Sequence, residues 1–120
     1  MRRFLTFALL LFNLAALGQP FTVKDARGQT ITVRSIERIV SLNGVTTEIL
    51  FALGVGDKVV GRDTSSYYPA AVNKLPTVGY QFQLNAEGIL ALRPTLVVGR
   101  EDARPPQVFD QLAAAGVTVV

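Results

Sequence analysis

From residue 38 to residue 120 the sequence alternates short β-branched runs with longer runs of helical apolar spacing, and this order limits the fold more than any other feature. RIVSL (38–42) reads as a strand. TTEILFAL (46–53) reads as a helix, with Ile49, Leu50 and Leu53 at helical spacing and Gly54 closing it. KVVG (58–61) reads as the next strand. NAEGILAL (85–92) then precedes TLVVG (95–99), and PPQVFDQLAAAG (105–116) precedes VTVV (117–120), so the helix-then-strand order recurs twice. Strands alternating with helices pair in parallel, which predicts the α/β class: a parallel sheet with helices on both faces. Ahead of this, FTVKDARGQTITV (21–33) holds two Thr/Val-rich runs around a turn with Asp25 and Gly28, the pattern of a short β-hairpin.

In such open sheets ligands lodge beyond the carboxyl ends of the strands. Three loops qualify: SLNGVTTE after the first strand, RDTSSYYP after the second, and GREDARPP further on. The second sets Tyr67 and Tyr68 against Pro69 in an otherwise small and polar segment. Two readings fit them: rings packed beneath the loop, or rings turned toward a ligand. Arg62 and Arg100 each follow a strand and could fork onto ligand carboxylates. Solvated surface arginine is the favoured reading for either one, given how little exposed pairs contribute.

The first twenty residues, MRRFLTFALLLFNLAALGQP, are of another kind. Arg2 and Arg3 form a basic start, Phe4 to Leu17 is almost wholly apolar, and Ala16-Leu17-Gly18 offers small residues for cleavage. This is the pattern of a secretory signal peptide. The apolar run is shorter than the roughly 20 residues that span a bilayer. The expected organisation is a signal peptide at 1–18, an N-terminal segment with the hairpin at 19–37, and the α/β lobe at 38–120.

Charge and side-chain chemistry narrow the function. The chain has 12 Lys plus Arg against 9 Asp plus Glu, and cleavage removes Arg2 and Arg3, so the remainder is nearly balanced. No basic patch for nucleic acid is expected. Cysteine is absent, which excludes disulfides and a lipid-modified cysteine at the mature start; the expected location is the periplasm. Histidine is also absent and the only methionine is the initiator, so any bound metal must be held by oxygen donors. A dinucleotide-binding enzyme would need G-x-G-x-x-G after the first strand, where SLNGVTTE stands. A nucleophile-elbow hydrolase would need G-x-S-x-G and a histidine, and this chain has neither. The expectation is therefore a binding protein and no enzyme.

RIVSL-x-x-x-x-TEI-x-x-ALG, the Tyr-Pro pair, LP-x-VGY, L-x-AEGILAL-x-P-x-LV and EDA-x-PP occur in that order over residues 21–120. In this the chain resembles the amino-terminal lobe of periplasmic substrate-binding proteins of the iron-chelate and cobalamin class, which serve ABC importers, and especially the hemin-binding members. No single motif is specific; their order and spacing carry the resemblance.

The resemblance implies a two-lobed protein, monomeric when complete, that holds its ligand between lobes, with the second lobe absent from this chain. It implies ferric heme as the transported ligand, no catalytic cofactor, and an inner-membrane permease as partner. It casts Tyr68 as the axial ligand of the heme iron, with Tyr67 as neighbour and substitute. A phenolate is a hard anionic donor suited to ferric iron, and a bound metal can drive off its proton near neutral pH. Asn43 and Gly44 correspond to a small-residue turn that lets a flat macrocycle approach the backbone, and Asn43 also suits a helix cap. Glu87 corresponds to a glutamate that docks on permease arginines; a carboxylate in the first turn of a helix capped by Asn85 explains it locally as well. A ferric siderophore or cobalamin is the alternative cargo.

Overall fold

The computed structural model describes residues 18–120, so the leader expected at 1–18 lies almost wholly outside the described residues. The hairpin forms as β1 (Phe21–Lys24) and β2 (Thr30–Val33), paired antiparallel with Phe21 opposite Val33. Its turn is built by Asp25, whose Oδ1 accepts the N–H groups of Arg27 at 2.9 Å and Gln29 at 2.8 Å. This is the local side-chain bonding that makes aspartate a turn residue.

The lobe proper runs β3 (Ile39–Ser41), α1 (Gly44–Ala52), β4 (Val59–Arg62), α2 (Ala86–Leu90), β5 (Leu96–Val98), α3 (Gln107–Ala114) and β6 (Thr118–Val119). The four strands form one all-parallel sheet in the order β4-β3-β5-β6. Every residue of β3 is buried, as an inner strand covered on both faces requires.

Strand alternation divides the apolar residues between the two faces. Ile39, Val59 and Leu96 face one way and pack with Val33 of the hairpin and with Leu50 and Phe51 of α1. Val40, Leu42 and Val97 face the other way and pack with Ile89 of α2 and with Val108 and Leu112 of α3. Helices therefore cover both faces of a parallel sheet, as the alternation predicts. Each fully buried Ile or Leu here contributes about 1.5–3 kcal/mol relative to exposure.

Two expectations are corrected. Ile49 and Leu53 are not core residues of α1: they are 52% and 72% exposed, while Thr47 is the fully buried residue of that helix. The second helix is also only five residues long, because its chain turns away after Leu90 and Arg93 adopts positive φ. The Arg38 guanidinium closes that end, donating to the carbonyls of Leu92 and Arg93. Among the described residues no helix is long and apolar enough to cross a membrane.

Candidate functional site

Strand order reverses at β3. The connection from β3 goes through α1 to β4 on one side, and the next passes across the opposite face to β5 on the other. Connections that leave for opposite faces open a crevice at the carboxyl end of the strands, where ligands lodge in such sheets. A recess of about 280 Å³ lies there, lined by Asn43, Gly44, Val45, Glu48, Ser65, Tyr67, Tyr68 and Gln81. Four residues singled out from the sequence thus meet in one place: Asn43, Gly44, Tyr67 and Tyr68.

The first wall is the start of α1. Asn43, in extended conformation, caps the helix: its Oδ1 accepts the N–H groups of Val45 at 2.9 Å and Thr46 at 3.3 Å. Its Nδ2 donates to Gln81 Oε1 at 3.0 Å, so the cap also anchors a second loop. Gly44 is required by a close approach. A Cβ there would lie 2.7 Å from the carbonyl oxygen of Ser65. The approach of the protein's own loop thus by itself calls for glycine at this position.

The second wall is the loop after β4. Tyr67 is 72% and Tyr68 63% exposed, so neither ring is packed beneath the loop. Pro69 follows with φ −68° and opens a 3-10 turn at Ala70–Lys74. The loop is braced from within. Arg62 donates through Nε to the Leu75 carbonyl at 3.1 Å and through Nη1 to the Ser66 carbonyl at 2.7 Å. The Tyr67 carbonyl accepts from Asn73 Nδ2 at 3.5 Å. Asp63 Oδ2 accepts the N–H of Ser65 at 3.1 Å and its Oγ–H at 2.7 Å, and Asp63 Oδ1 accepts from Ser66 Oγ at 2.7 Å.

The two walls are tied together. Ser65 Oγ accepts the Gly44 N–H at 3.1 Å, and Ser66 Oγ lies 2.7 Å from Thr47 Oγ1, which donates to Ser41 Oγ at 2.8 Å. Among the described residues, every buried side-chain nitrogen and oxygen has a partner. Asp63, Ser65, Ser66 and Gln81 were not singled out from the sequence. The available signal was D-x-S-S, since an aspartate followed by serines builds a local side-chain turn.

The remaining candidates stand apart. Arg62 is committed to two loop carbonyls. Arg100 lies outside the recess and forms a two-point pair with Asp102, with both contacts at 3.1 Å. The third loop, GREDARPP, backs the 79–84 segment: Arg104 N–H donates to Gln81 O and Leu84 N–H to Arg104 O, each at 2.9 Å. Tyr80 and Phe82, on either side of Gln81, form an edge-to-face pair with centroids 5.2 Å apart. Glu87 is exposed in the first turn of α2, whose cap Asn85 accepts its N–H at 2.8 Å. Among the described residues no cluster of three or more His, Cys, Asp or Glu side chains is present to hold a metal ion.

A parallel sheet with a recess at its strand reversal, framed by a helix start and an aromatic loop, defines a ligand-capturing lobe of the α/β binding-protein type. Residues 39–120 match the family model described as periplasmic binding protein. The chain belongs to that family, among substrate-binding proteins of ABC importers, and corresponds to an amino-terminal lobe.

It is 40% identical over 104 residues to YvrC of Bacillus subtilis, an uncharacterized ABC transporter substrate-binding lipoprotein, covering 84% of this chain and 33% of that one. To the vitamin B12-binding protein of Yersinia pestis it is 39% identical over 90 residues, covering 75% of this chain and 32% of the relative. Solved structures include the apo form of the periplasmic heme-binding protein RhuT of Roseiflexus (58% identity, TM-score 0.67, 69% of this chain and 32% of that one). A periplasmic heme-binding protein from Pseudomonas aeruginosa matches at 51% identity and TM-score 0.68, covering 70% of this chain and 30% of that one. The heme-binding protein HmuT matches at 38% identity and TM-score 0.76, with 86% and 34% covered. The chain spans about a third of the length of these relatives.

Proposed function

We propose that this chain is the amino-terminal lobe of a periplasmic hemin-binding protein that delivers heme to an ABC importer, with Tyr68 as the axial oxygen ligand of the ferric iron. The observation that carries the reading is the pair Tyr67 and Tyr68, exposed on a braced loop at the mouth of the recess. A phenol exposed at the mouth of a recess is free to meet a ligand there, through its ring or its oxygen. With no histidine or cysteine in the chain, phenolate is the donor here best matched to ferric iron. Likeness to heme-binding proteins at 58% and 51% identity supports the same reading.

A recess of about 280 Å³, open on one side, sits just below the roughly 300–1,000 Å³ of a complete small-molecule site and suits half of one. The other half would come from a second lobe. Arg62 would support the loop from behind, and Arg100 would reach a heme propionate only after releasing Asp102. Export by the leader at 1–18 would deliver the protein to the periplasm, and Glu87 would meet the permease.

A second reading rests on the 39% identity to vitamin B12-binding proteins: cobalamin, or a ferric siderophore whose chelator already fills the iron's coordination sphere. Titration of the full-length mature protein with ferric hemin separates the two. The wild type is expected to give a saturable spectrum of tyrosinate-ligated ferric heme, and Tyr68→Ala to lose it. The absence of any saturable change in the wild type would reject heme and favour the cobalamin or siderophore reading.

A further inference from the structure

We propose that Asp63 is a positioning residue for ligand capture: its buried side chain locks the Tyr67–Tyr68 loop against the start of α1. The inference rests on the reading that Tyr68 meets the ligand, and goes beyond it to what holds Tyr68 in place.

Asp63 is completely buried, although it stands one residue past the end of a strand in a loop that carries two exposed rings. Burying a carboxyl is costly, and a packed apolar residue serves stability at least as well. What the carboxyl does here is directional. All three of its side-chain bonds go to the two residues immediately before the tyrosines, Ser65 and Ser66, at 2.7–3.1 Å. Each of those bonds is accepted by the carboxyl and none is donated.

The two serines carry the restraint across the recess. Ser65 Oγ receives the first N–H of α1 from Gly44, and Ser66 Oγ meets Thr47 one turn further along that helix. Asp63 is itself fixed to the central strand, since its N–H donates to the Ser41 carbonyl at 3.0 Å. The chain of bonds therefore runs from β3 through Asp63 to the residues before Tyr67, and from there to α1. Losing the carboxyl leaves two serine hydroxyls and one N–H without their acceptor. The loop then keeps its contacts to Arg62, Asn73, Gly44 and Thr47 but loses the side-chain tie that joins its two serines to the Asp63 carboxyl. Asparagine, by contrast, can keep its oxygen on the two Ser65 donors and offer its NH₂ to Ser66 Oγ, which can turn its own hydrogen toward Thr47.

The test is a double-mutant cycle in the full-length protein, read by ferric hemin affinity and by the tyrosinate-to-iron charge-transfer band. Asp63→Ala is expected to weaken binding about tenfold or more, as release of the loop that carries Tyr68 implies, and to move the band. Asp63→Asn is expected to restore both. With Tyr68→Ala as background, Asp63→Ala is expected to change affinity less than about twofold, because its effect is exerted through the tyrosine. An equal loss in both backgrounds, or an unmoved band, would overturn the proposal. Tyr68→Ala alone binding like the wild type would instead reject the ligand reading beneath it. If Asp63→Ala does not fold, Ser65→Ala, which cuts the link to Gly44 while leaving Asp63 in place, carries the same cycle with the same two outcomes.

Discussion

Gly44 shows how tightly single residues are held at the recess. A methyl group there would press on the Ser65 carbonyl, which is backbone and cannot rotate away. Gly44→Ala is expected to cost about 1–3 kcal/mol, the usual penalty for overpacking, and to weaken hemin binding by shifting the tyrosine loop. A thermal melt and a hemin titration on the same sample check both effects, and an unchanged melting temperature would show that the loop yields freely. Part of this site was legible in the sequence. Asn43 stood before a helical run, Tyr67 and Tyr68 stood in a small polar loop, and loops after parallel strands are where ligands bind. Asp63 and Gln81 were not legible, because a polar residue in a loop faces water by default and only the fold reveals that these two are enclosed. Arg62 had the right location for a ligand contact, but its bonds go to the carbonyls of Ser66 and Leu75, which the folding of its own loop brings beside it.

At the scale of elements, α1 departs most from its sequence pattern. Ile49 and Leu53 repeat at helical spacing, yet they form a stripe on the outer side of the helix with Val45. The inner side uses Leu50 and Phe51 for packing and Thr47 for the hydroxyl contacts to Ser41 and Ser66. Periodicity locates a helix and leaves open which of two apolar stripes is buried, and here a polar residue at the contact point gave no hydrophobic signal. Ile49→Lys and Leu53→Lys are expected to change stability by no more than about 0.5 kcal/mol, as exposed substitutions do. Leu50→Ala is expected to cost about 1–2 kcal/mol, less than a fully buried leucine. Chemical denaturation of the three variants checks the assignment, and a larger loss at Leu53 than at Leu50 would reverse it. The strands were read to within one or two residues, since short β-branched runs buried on both faces leave little ambiguity. The short α2 was overestimated because LALRP continues the apolar pattern past the point where the chain turns.

At the scale of the molecule, the order β4-β3-β5-β6 sets the recess and the start of α2 apart. The loops after β3 and β4 converge on the recess, while Glu87 stands exposed in the first turn of α2, hydrogen-bonded through its backbone N–H and carbonyl. The proposed ligand contact and the proposed permease contact can therefore be tested by separate mutations. Glu87→Ala is expected to leave the hemin spectrum and affinity unchanged and to reduce uptake by cells that depend on this protein for iron from heme. Normal uptake with that variant would assign Glu87 to helix capping alone. The sheet order itself was not written in any one motif; it follows from the handedness of parallel crossovers acting on the sequence of elements.

The bonds among Asp63, Ser65, Ser66, Thr47 and Asn43 have a thermodynamic corollary. Because the backbone on both sides of the recess is already fixed, an arriving ligand has little chain disorder left to remove. On the proposed reading the freedom lost at this lobe is that of two aromatic rings, about 0.5–1.5 kcal/mol for each side chain immobilised. On the same reading, binding at this lobe should involve little rearrangement of the loop backbone.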